Sequence, residues 1–336
     1  MNRHPAHLLP RRLALAGLLA AALPLLPGLS MAQSAFPSKP VRILVGFPAG
    51  SGPDMVARLI AQRLTEAWGG APVVVDNKTG AGGVIAATET ARAAPDGYTL
   101  MLGASTQLSI APHTHRKLPY DPARDFAAVT QVVSTDFVLL VNPQKVQARN
   151  LKEFAVAAKA QPNGLFMGTF GAGTPGHFGA YMLGDAIQVK PEAVHYKNTG
   201  DVVTGLVGGD VLGVFGSVGF AVSAVQTGKL AAIAVTGPSR SPALPDVATA
   251  KEQGLPSLEF TSWFGIVAPA RTPADLIARL NADIRKAVQS PEAKQKLAGA
   301  GFQVTGTSAH EFDQIIRRDT SAWGKAVAAS GFQAAE

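Results

Sequence analysis

The sequence predicts an α/β protein of two domains, and three observations carry that prediction. Apolar residues make up 47% of the 336-residue chain, enough to fill two ordinary cores. Charged residues make up only 16%, against roughly 25% in soluble domains, while 35 glycines and 24 prolines supply tight turns between buried strands. Short apolar runs alternate with helical periodicity along most of the chain, the pattern of parallel strands joined by helices.

The elements follow in order. Pro10-Arg11-Arg12 precedes an apolar run over 13–29, and Ser30-Met31-Ala32 presents small residues for cleavage, so residues 1–32 read as an export signal removed near Ala32. The competing reading is a membrane anchor, but Gly17, Pro24 and Pro27 interrupt a run already short of the roughly 20 residues a bilayer needs. Arg11-Arg12 leaves both the general secretory and the twin-arginine routes open. Residues 41–47 are nearly all apolar, as in a strand covered on both faces. A helix follows, with Ser51 or Gly52 as its cap, Pro53 and Asp54 in its first turn, and Met55, Val56, Leu59, Ile60 and Leu64 at helical spacing. A strand at 73–75, a helix over about 83–93 and a strand at 98–102 complete a βαβαβ unit.

A long extended stretch at 129–141 comes next, and the alternation restarts. Helices are expected at 151–160, 177–187 and 220–227, with strands at 165–169, 193–196, 211–215 and 230–235. Residues 262–268 are extended again, then helical with Pro273 in a first turn, and helical once more over 308–330. Two extended crossings around a complete inner unit predict an insertion: domain 1 from 36–137 plus 259–336, and domain 2 from 138–258.

Composition excludes several functions. The formal charge of +7 includes Arg3, Arg11 and Arg12 of the signal, and the remaining cations are scattered singly, so the footprint of a nucleic-acid binder is missing. With no cysteine there is no disulfide, thiolate zinc site or thiol nucleophile. His113-Thr-His115 lacks acidic partners nearby and reads as a solvated loop, so no metal site is expected. His310-Glu311 opens like a zincin helix, but Gln314 stands where the second histidine belongs. A G-x-S-x-G elbow fails at Phe215, which leaves a secreted hydrolase as a remote alternative.

What remains is a set of glycine-rich turns between strands and helices. Gly171-Ala-Gly173-Thr-Pro-Gly176 is a literal G-x-G-x-x-G in the right local context, but it lies mid-chain in an exported protein and Glu192 precedes the next strand, so no dinucleotide or other cofactor is expected. Its backbone N–H groups at a helix start still suit an anion. Phe47-Pro-Ala-Gly-Ser-Gly-Pro-Asp54 has no lysine for a Walker loop; it is either a plain turn or a loop whose backbone approaches a ligand. Gly80-Ala-Gly-Gly83 is a third such turn.

Over the whole mature length the chain resembles the periplasmic solute-binding proteins of tripartite tricarboxylate transporters, the Bug or TctC-like receptors. The matching segments are Phe36-Pro-Ser-Lys-Pro40, Phe47-Pro-Ala-Gly50 with Asp54 and Ala57-Arg58, and Asn77 with Gly80-Ala-Gly-Gly83. Ala94-Pro-Asp-Gly-Tyr-Thr-Leu100, Lys117-Leu-Pro-Tyr-Asp-Pro122 with Asp125-Phe126, Tyr196-Lys197, Arg240-Ser-Pro-Ala-Leu-Pro-Asp246, and Trp263-Phe-Gly265 with Ala268-Pro269 extend the series. The resemblance implies a type II periplasmic binding protein: two α/β domains, joined by two extended crossovers near Asp136 and Phe260, closing on a small organic carboxylate without catalysis. It implies contacts from Pro48, Ala49, Gly50 and Ser51 with Asp54, from Ser105, Thr106 and Gln107, and from Thr169, Phe170, Gly171, Gly173, Thr174 and His177. It also implies delivery to transporter membrane subunits, a periplasmic location and a monomer; a sensor presenting its closed form to a signalling partner is the alternative.

Three departures bear on the ligand. Where the family commonly has Ser-Ser-Gly, this chain has Thr169-Phe170-Gly171; where many members have Phe-Asp-Asn, it has Phe215-Gly216-Ser217; and Tyr181 replaces a frequent glutamate. An ammonium group would want those missing carboxylates. The expected ligand therefore joins a carboxylate to an apolar or aromatic body, near Phe170, Gly216, Ser217 or Trp263, unless the departures lie outside the contact shell.

Overall fold

The computed structural model describes residue 1 and residues 36–196 and 198–333; the expected export signal, apart from Met1, and Lys197 lie outside the described residues. The chain runs β1 (Val41–Val45), α1 (Gly52–Ala67), β2 (Val73–Asn77), α2 (Val84–Ala91), β3 (Thr99–Ala104), α3 (Ala111–Thr114), α4 (Pro122–Asp125) and β4 (Phe126–Val141). It continues α5 (Leu151–Lys159), β5 (Leu165–Thr169), α6 (Pro175–Ile187), β6 (Pro191–His195), α7 (Thr199–Gly208), β7 (Gly213–Ser217), α8 (Val218–Gln226) and β8 (Ala231–Val235). β9 (Thr261–Pro269), α9 (Ala274–Gln289), α10 (Pro291–Gly299), β10 (Gln303–Val304) and α11 (Ala309–Ser330) complete it.

The expected extended stretch becomes β4, 16 residues long and the axis of the sheet. From Phe126 to Asp136 it pairs antiparallel with β9; from Phe137 onward it pairs with β7 and β8. The strand order is β2-β1-β3-β9-β4-β7-β5-β6, with β8 and β10 also pairing with β4. β1 is parallel to β2 and β3, and β5 is parallel to β6 and β7. Each half thus winds the same way, its first strand between its second and third, so the loops leaving the first and third strands diverge and open a crevice at the strand C-termini. The described residues from Lys39 onward form one compact unit.

Where β4 changes partners sits Asp136, only 2% exposed. Its Oδ2 accepts from Gln303 Nε2 at 2.8 Å, and the Gly237 backbone packs so closely on the carboxylate that any side chain at 237 would collide with it. Burial pushes this carboxyl up to about 6, with Gln303 opposing and Glu259 adding to the rise.

Trp263 is a core residue rather than a stacking platform. It is 1% exposed, meets Phe312 edge-on at 5.1 Å between centroids, and donates its Nε1–H to Asp319 Oδ2 at 2.7 Å. Helices absent from the sequence reading also appear among the described residues: the short α3 and α4, and the longer α7 and α10. α7 is rich in glycine and β-branched residues, poor helix formers. It forms because Asn198 accepts from the Asp201 N–H, Val202 and Leu206 bury one face, and Gly205 leaves room for the Tyr196 ring. α10 is capped by Ser290, whose Oγ accepts from the Ala293 N–H.

Candidate functional site

The site is built from loops at strand C-termini, beginning with the turn between β1 and α1. Pro48, Ala49 and Gly50 are exposed, and Gly50 holds φ +79°, a conformation that favours glycine. Ser51 stands at the helix cap but its hydroxyl turns back to donate to Pro48 O at 2.6 Å. Asp54 ties the turn together, accepting from Gly50 N at 2.9 Å, Arg58 Nε at 2.8 Å and Asn77 Nδ2 at 2.9 Å. Burial pushes its carboxyl up, but Arg58, Gly50 and Asn77 together bring it below the usual carboxylate range. Both oxygens of Asp54, expected among the contacts, are thus engaged by the protein itself, and the carboxylate braces the turn.

The other two loops of this half lock against the first. Gln107 is 1% exposed; its Oε1 accepts from Ala104 N at 2.9 Å, and its amide fills the space where side chains on Gly83 and Gly46 would lie. This explains why Gly80-Ala-Gly-Gly83 ends in glycine. Ser105 is fully buried, its Oγ 2.8 Å from that of Ser262, so Thr106, half-buried in a π-helical turn, is the more open of the three expected contacts. That turn runs into α3. There His113, expected in a solvated loop, instead places Nε2 2.9 Å from Thr320 O of α11.

The turn between β5 and α6 uses the G-x-G-x-x-G residues to shape its own backbone. Gly171 and Gly173 hold φ of +118° and +73°, and Gly176 lets α6 approach β7, since a Cβ there would stand 2.8 Å from Phe215 O. Thr169, fully buried, accepts from Gly171 N at 3.3 Å; Thr174 donates to Gly171 O at 2.9 Å and caps α6 by accepting from His177 N at 3.3 Å. His177 is 2% exposed and its Nδ1 accepts from Gly173 N at 3.2 Å, which leaves the ring proton on Nε2. Burial, helped by His195, pushes His177 down to about 4, so the ring is neutral. Ala172 N–H and Thr174 N–H have no hydrogen-bond acceptor among the described residues.

The structure brings this turn to the first half of the molecule. A Cβ on Gly173 would lie 3.8 Å from Thr114 Oγ1 of α3. At the ends of β5 and β7, Phe170 and Phe220 meet edge-on at 5.3 Å, with Gly216 beneath Phe220 and Ser217 capping α8. The sequence reading missed Thr114, Phe220 and His195; none carries a motif, and their nearness follows only from the winding of the chain.

The chain's residues 56–332 match the model of the tripartite tricarboxylate transporter family receptor. It is 33% identical over 294 residues to the UPF0065 protein of the tcbD-tcbE intergenic region of Pseudomonas sp. strain P51, covering 87% of each chain. Solved structures are similar as well. MatC from Rhodopseudomonas palustris with bound malate is 32% identical, with TM-score 0.76, covering 87% of this chain and 100% of that one. R. palustris Rpa4515 with adipate is 29% identical, with TM-score 0.80, covering 89% and 100%. The periplasmic binding protein BugD is 28% identical, with TM-score 0.76, again covering 89% and 100%. The fold is that of a periplasmic binding protein.

Proposed function

The chain belongs to the family of tripartite tricarboxylate transporter receptors, and we propose that it captures a small organic carboxylate in the periplasm and delivers it to the membrane subunits of such a transporter. A solute-binding role follows from the family. The observation that carries the ligand class is the glycine-rich turn at 169–174, which opens a helix and leaves the Ala172 and Thr174 N–H groups without an acceptor among the described residues, with no cationic side chain among the expected contacts. A carboxylate needs such preorganised donors more than a formal positive charge. Malate and adipate in two structural neighbours support the same class.

Capture proceeds by closure of two domains, 36–137 with 259–336 and 138–258, about the crossings near Asp136 and Phe260. The receptor acts as a monomer after removal of its export signal; no helix among the described residues is long and apolar enough to cross a membrane. Asp54 is the carboxylate among the expected contacts and its oxygens are engaged, so an ammonium group would be buried unpaired. The ligand is therefore a carboxylate without an ammonium group.

Thermal unfolding of the refolded, ligand-stripped protein against mono-, di- and tricarboxylates, aromatic acids and amino acids tests this. A ligand at 100 times its Kd adds about 2.7 kcal/mol, a rise of about 5 °C for a chain of this size. Carboxylates without an ammonium group are expected to give it. A rise with aspartate or glutamate would end the ammonium exclusion, and no rise with any carboxylate would end the ligand class.

A further inference from the structure

β5 and β6 are parallel neighbours, and their register pairs Thr169 with His195 at the C-terminal ends of both strands. His195 is exposed, unlike the buried Thr169 and His177 beside it. Its Nδ1 lies 2.6 Å from Thr169 Oγ1, and its ring meets that of His177 edge-on at 4.8 Å. Thr169 Oγ1 accepts from Gly171 N, and its own proton is assigned by distance to His195 Nδ1 at 2.6 Å rather than to Gly171 O at 3.4 Å, which Thr174 serves. The ring proton of His195 is then on Nε2. Two neutral imidazoles, each with Nδ1 held by the 169–174 turn, flank it, and of the two residues only His195 is exposed.

From this geometry we infer that His195 is a specificity-determining residue whose Nε2–H donates to the bound carboxylate. The inference rests on the receptor reading above. His177 is the titratable group facing His195 from α6, and desolvation holds His195 below its ordinary range. A carboxylate at Nε2 would favour the protonated ring and raise its titration midpoint. A hydroxyl-supporting surface histidine with no ligand would show no such rise.

The test is a proton NMR titration of the imidazole Cε1–H signals, with the His195 signal assigned by His195→Gln, without and with whichever carboxylate of the panel gives the largest thermal shift. The His195 midpoint is expected to rise by at least about half a unit on saturation, while the remaining histidines move less. His195→Phe is expected to weaken binding about tenfold with little change in the ligand-free Tm, and His195→Gln, which retains a neutral N–H donor, to stay within about threefold of the parent. An unmoved midpoint with ligand bound, or parental affinity in His195→Phe, overturns the assignment while leaving the receptor reading intact. If no carboxylate in the panel binds the parent protein, the receptor's ligand class fails and this assignment falls with it.

Discussion

The two glycine-rich turns have the same outline and different bracing. The turn after β1 is held by an ionised carboxylate: Asp54 gathers Gly50, Arg58 and Asn77 into a charged network beneath an exposed backbone. The turn after β5 is held by neutral groups, with Thr169, Thr174 and His177 each taking one backbone N–H. A turn braced by a charge is stiff only while the charge persists, whereas hydroxyls and a neutral imidazole brace a turn without adding a field beside an incoming anion. The two turns should therefore respond differently to substitution and to pH.

Breaking the charged brace should have the largest effect. Asp54→Ala removes three hydrogen bonds, one of them to a guanidinium, and should cost about 3 kcal/mol of stability and abolish the carboxylate-induced thermal shift. His177→Phe removes one acceptor from the second turn and should cost about 1 kcal/mol at neutral pH. Urea denaturation compares them. Equal costs would mean that neither the charge on Asp54 nor its two additional bonds contribute to stability.

The next effect sets the second turn against the point where β4 changes partners. His177 is lowered from 6.5 to about 4, so the unfolded chain takes up its proton first; stability is full above about pH 6.5 and declines as the pH drops, by about 2.5 kcal/mol at pH 4.5. Asp136 is raised from 3.8 to about 6, so the folded chain takes up its proton first; this site gains about 2 kcal/mol over the same range. The two contributions nearly cancel. In denaturation curves from pH 7 to 4.5, Asp136→Asn should lose stability with acidification more steeply than the parent, and His177→Phe should gain on it. Parallel profiles for all three proteins would contradict both assignments.

Much of the fold was legible because apolar runs and caps are local signals. β5 falls at 165–169 as read, and α11 begins at its Ser308 cap and ends at Gly331 within a residue of expectation. α7 was not legible because its helix depends on Tyr196 packing against Gly205, a contact invisible to propensity. The site was legible as loops but not as side chains. Asp54 and Gln107 stood in the right segments, yet only the structure shows that they hold the loops together. Trp263 looked like an aromatic platform because nothing in the sequence announces Phe312 and Asp319, which enclose it from a helix some fifty residues further on. His195 escaped notice because its significance comes from register with Thr169 on a parallel neighbour, a relation fixed by the crossover α6 and not by spacing along the chain.

The smallest effects sharpen the comparison at the two helix starts. Ser51 and Thr174 both occupy the cap position with extended backbone, and sequence reasoning treats them alike. Only Thr174 serves as a cap through its side chain, since its Oγ1 accepts from His177 N, while Ser51 Oγ donates backward to Pro48 O and leaves Asp54 to satisfy the turn. Thr174→Ala should therefore cost about 1 kcal/mol, the usual loss of a capping bond. Ser51→Ala should cost no more than about 0.5 kcal/mol, because it removes one hydrogen bond from a partly exposed turn that the carboxylate already holds. Denaturation of the two variants at neutral pH measures the difference, and a larger loss for Ser51→Ala would mean that its hydroxyl, rather than Asp54, carries the first turn.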